Sequence, residues 1–367
     1  MKEIYVTKPY LPPIEEYEAK LETLWKTKQL TNMGPLHQEF EKKLETLFRV
    51  PHCLLFANGH LALEIAIQAM NLTGEVITTP FTFASTTHAI VRNRLIPVFC
   101  DIKSSNYTID EDQIENCITE KTTAIIPVHV YGQICNVKKI ERIAKKYNLR
   151  VIYDAAHAFG ETYQGKGIGN FGDASIFSFH ATKPFHSIEG GAITCHDYNF
   201  GVRAFQLKNF GFMGEDNVCG IGGNAKLSEF HAAMGLCNLE HLNEIHDGRK
   251  RVVDHYRERL RNVTGLRILE EQQGVEENYA YFPVLIDEKQ FGEDRDRIYY
   301  RLREKGIYAR RYFYPLTKDF ICYRKQFSDC NTPVAEYVTE HILTLPLYDS
   351  LSDEEIDYIC DIILKRG

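Results

Sequence analysis

Apolar residues in the first two-thirds of the chain fall into short runs that alternate with segments of helical spacing. The apolar runs are CLLFA, EVITTP, LIPVFCD, TAIIPVHV, RVIYD, ASIFSF and GAITC. The helical segments between them are LALEIAIQAM, TTHAIVRN, DQIENCI and KKIERIAKKY. Buried strands that alternate with helices are typical of a mainly parallel sheet covered on both faces. The pattern therefore predicts an α/β fold built on a large, mainly parallel seven-stranded sheet.

Two helices are predicted before the first of these strands. Residues 14–29 have helical spacing and place four apolar side chains on one face of a helix. These side chains are Tyr17, Leu21, Leu24 and Trp25. A second helical pattern covers residues 36–48 and follows a Gly-Pro turn.

The pattern changes near residue 240, where a long, highly charged helical stretch begins. Fewer strands are predicted after it, among the segments NYAYFPVLI, DRDRIYYRLREKG, IYARRYFYP and SDEEIDYICDIILKR. A chain of this length is too long for one small core. We therefore predict a large α/β domain over residues 1–240 and a smaller α+β domain over residues 241–367.

Composition and charge exclude several classes of function. The 367 residues carry a formal charge of −7, which offers no electrostatic basis for binding nucleic acid or an anionic membrane. No apolar run approaches the length of a membrane span, and the N-terminal MKEIYVTKPYLPP lacks the apolar core of a signal peptide. The ten cysteines form no CxxC pair. We therefore expect a cytoplasmic protein with reduced cysteines and no metal site.

Two glycine motifs resemble nucleotide-binding loops but lie in the wrong context. GIGNFG, residues 167–172, matches the dinucleotide fingerprint GxGxxG, yet it leads into an apolar run rather than a helix. GETYQGKG nearly matches a P-loop, but Gly167 stands where Ser or Thr should hold magnesium. We interpret the first motif as a turn between strands and reject the second as a nucleotide site.

Asp154 and Lys183 each follow an apolar run, and open α/β sheets place their sites at such strand ends. Asp154 is either a helix cap or the partner of a buried protonated nitrogen. Lys183 is either an ordinary surface charge or a reactive amine. Pyridoxal phosphate needs both groups, because a lysine forms its Schiff base and an aspartate keeps its pyridine nitrogen protonated. The pair therefore favours this cofactor.

The chain also offers groups for the other parts of pyridoxal phosphate. The turn NGH, residues 58–60, precedes a helix whose N-terminus suits a phosphate. Phe81 and Phe83 offer an aromatic face for the ring. Taken singly, each feature has a structural explanation as a turn, a core aromatic or, for Ser178, a strand residue. Their combination in one alternating chain favours cofactor binding.

Several sequence blocks extend this interpretation to a family. They are LTNMGPLHQEFEKKL, FANGHLALEIA, TTPFTFAST, VIYDAAHAFG, FSFHATKPFHSIEGGAI, GGNAKLSEFHAAMGL, YFYPL and LTLPLY. In this order and over most of the chain, they resemble the DegT/DnrJ/StrS family of sugar-nucleotide aminotransferases. The resemblance implies the aspartate-aminotransferase type of fold, known as fold type I. Some family members with histidine at the lysine position are dehydratases, so the lysine of this chain argues for transamination.

The resemblance assigns a role to each matching residue around the cofactor. Lys183 is implied as the Schiff-base lysine and Asp154 as the partner of the pyridine nitrogen. His157 is implied to lie near the phenolic oxygen of the cofactor, and Phe83 to stack on its ring.

The same resemblance supplies the phosphate contacts. The backbone N–H groups of Gly59 and His60 and the hydroxyl of Ser178 are implied to bind the cofactor phosphate, although the family often has Ser or Thr in place of His60. Asn224 resembles an asparagine that reaches the cofactor phosphate of the neighbouring subunit. This implies a homodimer with shared active sites. No role is implied for Glu189.

The resemblance also indicates the substrates. It implies a ping-pong reaction in which glutamate donates the amino group and a nucleotide-linked keto-sugar accepts it. The segment SFHATKPFHSIEGG is similar to family members that act at C-4. The segments IYVTKPYLPP and LTNMGPLHQEFE resemble members whose acceptor is dTDP-4-keto-6-deoxyglucose. Substrate contacts are expected from Arg310, Arg311 and Tyr314, on a side where Thr317 replaces a frequent histidine.

Several alternatives stay open at this point. One is a C-3 aminotransferase, a second is a sugar dehydratase, and a third is a non-catalytic binding protein on the same fold. The nucleotide is dTDP, GDP or UDP. The product enters either a surface glycan such as a lipopolysaccharide O-antigen or a secondary metabolite.

Overall fold

A computed structural model describes residues 3–365 of the chain. Its strands are β1 (Ile4–Tyr5), β2 (His52–Phe56), β3 (Glu75–Thr78), β4 (Ile96–Phe99), β5 (Thr122–Ile125), β6 (Arg150–Asp154), β7 (Thr162–Tyr163), β8 (Lys166–Gly167), β9 (Ala174–Ser178), β10 (Gly191–Cys195), β11 (Leu266–Ile268), β12 (Val275–Glu276), β13 (Phe282–Ile286), β14 (Ile307–Tyr308) and β15 (Ile342–Leu345). Its α-helices are α1 (Ile14–Thr27), α2 (Pro35–Phe48), α3 (Gly59–Ala69), α4 (Ala84–Arg92), α5 (Val137–Tyr147), α6 (Tyr198–Lys208), α7 (Glu229–Glu240), α8 (Leu242–Leu260), α9 (Glu288–Phe291), α10 (Arg295–Glu304), α11 (Pro333–His341) and α12 (Asp353–Leu364). Short 3₁₀ helices cover Ile114–Cys117, Val130–Gly132, Ile168–Asn170 and Thr317–Asp319.

The central sheet has seven strands in the order β2-β10-β9-β6-β5-β3-β4. β10 runs antiparallel to both of its neighbours, and the remaining pairs are parallel. Each of the seven apolar runs forms one of these strands, so the predicted mainly parallel sheet is confirmed. Because β6 and β9 are parallel neighbours, their carboxyl ends bring Asp154 and Ser178 to the same edge of the sheet.

Local details differ from the sequence predictions in two places. The segment DQIENCI forms only the 3₁₀ turn Ile114–Cys117, in which Ile114 is the buried residue. One buried side chain provides no apolar stripe for a longer helix to bury. On α1, Leu24 is buried, but Trp25 is 69% exposed and packs edge-to-face with Phe230 at a centroid distance of 6.2 Å.

The two glycine motifs are turns. GETYQGKG forms the hairpin β7–β8, and its connecting residues Gln164 and Gly165 have φ values of 53° and 74°. Two consecutive left-handed residues are typical of the type I′ turn, whose twist matches that of the flanking strands. GIGNFG then leads through a 3₁₀ turn into β9, which confirms that it opens no helix.

Buried apolar residues form a core around the central sheet and a second core around β11, β13 and β15. α7 ends at Glu240 and α8 begins at Leu242, which agrees with the change of pattern near residue 240. At the N-terminus, β1 pairs with β14, and Ile4 lies in the second core. The domain boundaries themselves stay a prediction. Within residues 3–365, no helix combines the length and apolar character needed to cross a bilayer.

The edge strand β2 is covered by an ion pair between the buried Lys208 and the partly exposed Glu41, 3.4 Å apart. Glu41 accepts the N–H of Leu55 at 2.9 Å, and Lys208 donates to the carbonyl of Leu55 at 3.0 Å. Burial would raise the pKa of Glu41, but Lys208 and the neighbouring His37 hold it at about 2. The pair satisfies backbone groups that an open sheet edge would leave unpaired.

A buried histidine makes the stability of the fold depend on pH. His129 is fully buried, stacks on Tyr153 at a centroid distance of 4.8 Å and accepts the N–H of Cys135 at 3.1 Å. Burial lowers the pKa of His129 to about 3. Between that value and about 6.5, only the unfolded chain binds this proton, so the free energy of unfolding rises with pH across this window.

We expect this histidine to remove about 2 kcal/mol of stability between pH 7.5 and pH 5. Urea unfolding of the wild-type protein and of His129→Gln at both pH values measures the effect. Glutamine keeps an oxygen for the N–H of Cys135 but does not titrate. An equal loss of stability in both proteins on acidification would contradict the assignment to His129.

Candidate active site

A cavity of about 770 Å³ opens at the carboxyl ends of β6 and β9, beside the N-termini of α3 and α4. Its volume lies in the range typical of ligand sites. Among the residues lining it are Gly59, His60, Phe83, Asp154, His157, Ser178, Lys183 and Arg310. The structure therefore brings eight residues singled out from the sequence into one site.

Asp154 supplies a buried carboxylate at the end of β6. Its Oδ2 accepts the hydroxyl of Thr86 at 2.7 Å, and its Oδ1 accepts the N–H of Ala156 at 3.2 Å. Burial raises the pKa of Asp154, and these hydrogen bonds and the charge of Lys183 oppose the rise. No side chain of residues 3–365 forms an ion pair with this carboxylate, so the site suits a protonated ring nitrogen of a ligand.

Lys183 lies in the turn that follows β9, where its N–H bonds the carbonyl of His180 at 2.9 Å. Its side chain is half-buried and lines the cavity. Its Nζ donates to the phenol oxygen of Tyr281 at 3.2 Å. An amine held in this way in a ligand-sized cavity is positioned as a nucleophile.

His157 is held neutral and in one tautomer. Its Nδ1 accepts the N–H of Tyr131 at 3.0 Å, and its ring stacks on Phe313 at a centroid distance of 5.9 Å. Burial, with a smaller effect from the charge of Lys183, lowers the pKa of His157 well below its usual range. The ring proton therefore resides on Nε2, which leaves that nitrogen as a hydrogen-bond donor.

The N-terminus of α3 forms an anion site. Asn58 caps the helix by accepting the N–H of Leu61 at 2.9 Å. The N–H groups of Gly59 and His60 have no acceptor among the hydrogen bonds of the described residues. A side chain at Gly59 would come within 2.9 Å of the Cβ of Ser178, so glycine is needed for the close approach of α3 to β9. Free N–H groups beside the hydroxyl of Ser178 suit a phosphate.

Phe83 presents an aromatic surface to the cavity. It precedes α4 and is 59% exposed, whereas Phe81 is fully buried among other aromatic rings. A large apolar side chain exposed in a cavity has a face free for a planar ligand. Together with the carboxylate, the amine and the anion site, it gives a set of groups that fits pyridoxal phosphate.

Three of the predicted residues lie outside the cavity lining. Arg311 donates to Asp296 at 3.2 Å, and its guanidinium packs 5.0 Å from the ring centroid of Tyr314. Asn224 is exposed and forms a β-bridge with Asn209. Of the residues expected at the substrate, Arg310 is therefore the one that reaches this cavity.

The sequence interpretation missed Tyr281, which lines the cavity, and Thr86, which lies outside the lining and donates to Asp154. Tyr281 lies in NYAYFPVLI, whose pattern indicates only a strand, and it meets Lys183 through tertiary packing. Thr86 is in the first turn of α4, just after the PFTF segment. This position near a predicted cofactor-binding segment is the sequence feature that could have identified Thr86. Glu189, which had no role, lies in the lining with Oε1 at 3.5 Å from Nε2 of His180.

This fold and this set of groups define a fold-type-I aminotransferase that uses pyridoxal phosphate. The sequence profile of the DegT/DnrJ/EryC1/StrS aminotransferase family matches residues 13–364, and the chain belongs to that family. The resemblance stated from the motifs is thereby confirmed.

Individual relatives match over nearly their whole length. A dTDP-4-amino-4,6-dideoxy-D-glucose transaminase from Shigella dysenteriae is 44% identical over 99% of this chain and 98% of its own. A protein of the same name from Escherichia coli is 43% identical over 100% and 99%. The crystal structure of DesI, in the presence of its TDP-sugar product, superposes with a TM-score of 0.95 at 34% identity, covering 100% of this chain and 93% of the other.

Proposed function

We propose that the protein transfers the amino group of glutamate to C-4 of dTDP-4-keto-6-deoxyglucose, giving 2-oxoglutarate and the 4-amino sugar nucleotide. One observation carries the chemistry: a single cavity joins the Lys183 amine, the buried Asp154 carboxylate and the anion site of α3. Similarity to the two dTDP-4-amino-4,6-dideoxy-D-glucose transaminases supports the choice of acceptor and of carbon.

The residues of the cavity hold the cofactor by complementary chemistry. When bound, pyridoxal phosphate acts as an electron sink for negative charge at the reacting carbon. Asp154 provides the negative charge that keeps a ring nitrogen protonated. The N–H groups of Gly59 and His60 and the hydroxyl of Ser178 bind the phosphate, and Phe83 covers one face of the ring.

Lys183 moves the proton that amino transfer requires. With the cofactor bound, Nζ would take the proton from the α-carbon of glutamate and hold it for return, and it would act in the reverse direction in the sugar half-reaction. Nζ is placed for this role because Lys183 lines the cavity. His157 keeps its Nε2 proton as a fixed donor beside the site.

We also propose that the protein is a cytoplasmic homodimer in which Asn224 completes the partner's phosphate site. Asn224 is exposed, and the preceding segment carries apolar residues that a monomer would leave in water. These exposed residues are Phe210, Met213, Val218 and Ile221. Sedimentation velocity on the purified protein tests the dimer.

Arg310 is the expected contact for the acidic sugar nucleotide. It is exposed at the cavity, with its guanidinium 5.6 Å from the ring centroid of Tyr312. We expect Arg310→Ala to raise the KM for the sugar nucleotide roughly 10- to 100-fold, since one hydrogen bond to a charged group is worth about 1.5–3 kcal/mol. The glutamate half-reaction should keep its rate, because the changed residue acts on the other substrate.

Arg297→Ala, an exposed arginine of α10 outside the cavity lining, is the matched control. Steady-state kinetics on both variants measure the effect. An unchanged KM in Arg310→Ala would remove this residue from the substrate site.

A spectroscopic titration tests the function as a whole. Glutamate should convert the visible band of the cofactor-loaded enzyme into the band of the aminated cofactor, and the correct keto-sugar nucleotide should restore it. A protein that stays colourless with added pyridoxal phosphate would contradict the role of Lys183. NMR of the product distinguishes C-4 from C-3 amination, and a dehydratase would give no stoichiometric aminated sugar.

A further inference from the structure

Tyr281 brings a phenol to the reacting amine from a distant part of the chain. Nζ of Lys183 donates to its Oη at 3.2 Å and lies 5.5 Å from its ring centroid. This is the hydrogen bond that the Lys183 side chain makes within residues 3–365. Tyr281 also lines the cavity, so the contact lies where the chemistry is proposed to occur.

Neighbouring aromatic rings hold the phenol in place. The ring of Tyr281 lies 4.7 Å from that of His157, 5.9 Å from that of Tyr131 and 6.1 Å from that of Tyr312, measured between centroids. The first two pack at interplanar angles of 57° and 61°. Rings on several sides restrict the rotation of Tyr281, so its hydroxyl keeps one position relative to Lys183.

The backbone that leads to Tyr281 is clamped as well. The buried Arg249 of α8 donates to the carbonyls of Tyr279 and Ala280 at 2.9 and 2.8 Å. Asn278 donates to the carbonyls of His157 and Phe159 at 2.9 and 3.0 Å. The segment 278–281 is therefore tied both to α8 and to the loop that carries His157.

We propose that Tyr281 is a further catalytic residue, whose phenol keeps the nitrogen of Lys183 aimed in both of its protonation states. The phenol oxygen accepts from the protonated nitrogen, as in the structure, and the phenol proton is donated to the lone pair when that nitrogen is neutral. The two arrangements differ by one proton, which Nζ exchanges with the substrate carbon, and the phenol keeps its own proton in both. The proposal rests on the proposed function, in which Lys183 takes up and returns the proton.

Tyr281→Phe removes the hydroxyl and keeps the packed ring. We expect the single-turnover rate with glutamate to fall roughly 100-fold, within the range of one acid–base group. The dissociation constant of pyridoxal phosphate should stay within about twofold, because the phosphate site and Asp154 are intact. The pH midpoint of the visible cofactor band should also change, because the nitrogen of Lys183 loses the hydroxyl that it contacts.

Tyr279→Phe is the matched control, with the same chemical change two residues away at a side chain outside the cavity lining. It should match the wild-type protein in rate and in band midpoint. A wild-type rate and midpoint in Tyr281→Phe would overturn the role of Tyr281 while leaving the proposed function intact.

The two hypotheses fail in different ways. If the wild-type protein forms the visible band but does not react with glutamate, the proposed function fails, and the band midpoint of Tyr281→Phe still decides the contact with Lys183. If the wild-type protein binds no pyridoxal phosphate, both are wrong.

Discussion

Replacing Lys183 by alanine should abolish amino transfer, with a loss of at least roughly 10⁴-fold in the glutamate half-reaction. The variant removes both the covalent attachment of the cofactor and the base that moves the proton. Neither function has a substitute nearby, because the three histidines that line the cavity are held by other contacts: His60 by Ser85, His157 by Tyr131 and His180 by Thr182. The effect should be the largest of any single substitution in the site.

Stopped-flow absorbance with glutamate measures this loss, and equilibrium dialysis measures cofactor binding. Lys183→Ala should still bind pyridoxal phosphate, although more weakly than the wild-type protein, because the anion site and Asp154 remain. Lys145→Ala, an exposed lysine of α5, is the control. Wild-type transamination in Lys183→Ala would rule out both roles assigned to Lys183.

Asp154→Asn should slow the half-reaction by roughly 10²- to 10⁴-fold with little change in structure. Asparagine has the shape of aspartate: its oxygen can still accept the N–H of Ala156, and its amide group can donate to the hydroxyl oxygen of Thr86. It carries no charge, however, and so cannot keep a ring nitrogen protonated. The electron sink is thereby weakened although the cofactor remains bound.

The same variant should not destabilise the cofactor-free protein. Burial raises the pKa of Asp154, so above the pKa of an unfolded aspartate, about 3.9, its charge costs folding free energy. Removing the charge should therefore leave the Tm at pH 7.5 equal or higher. Asp247→Asn, at an exposed position of α8, controls for the loss of one surface charge. A normal rate, or a large fall in Tm without cofactor, would contradict the assigned role.

Much of the fold follows from patterns within a few residues. Apolar runs such as RVIYD and ASIFSF alternate with segments of helical spacing. Strands that are apolar on both faces must be covered by helices on both sides, which favours a mainly parallel sheet. Strand ends then bring Asp154 and Ser178 together, because β6 and β9 are parallel neighbours. The phosphate turn was equally visible, since a helix N-terminus after a strand is a local feature.

The residues that escaped prediction depend on contacts between distant segments. Tyr281 reaches Lys183 across 98 positions of the chain. Arg310 and Arg311 were both predicted at the substrate, but Arg310 faces the cavity whereas Arg311 turns to Asp296. Trp25 shares a helical face with Leu24 in the sequence pattern, yet it is exposed because α1 buries only part of that face. The periodicity of apolar residues and the polar residues at strand ends are local features, so the sequence by itself determines them. The neighbours of a side chain depend on how helices and strands pack against each other, so only the tertiary structure determines them.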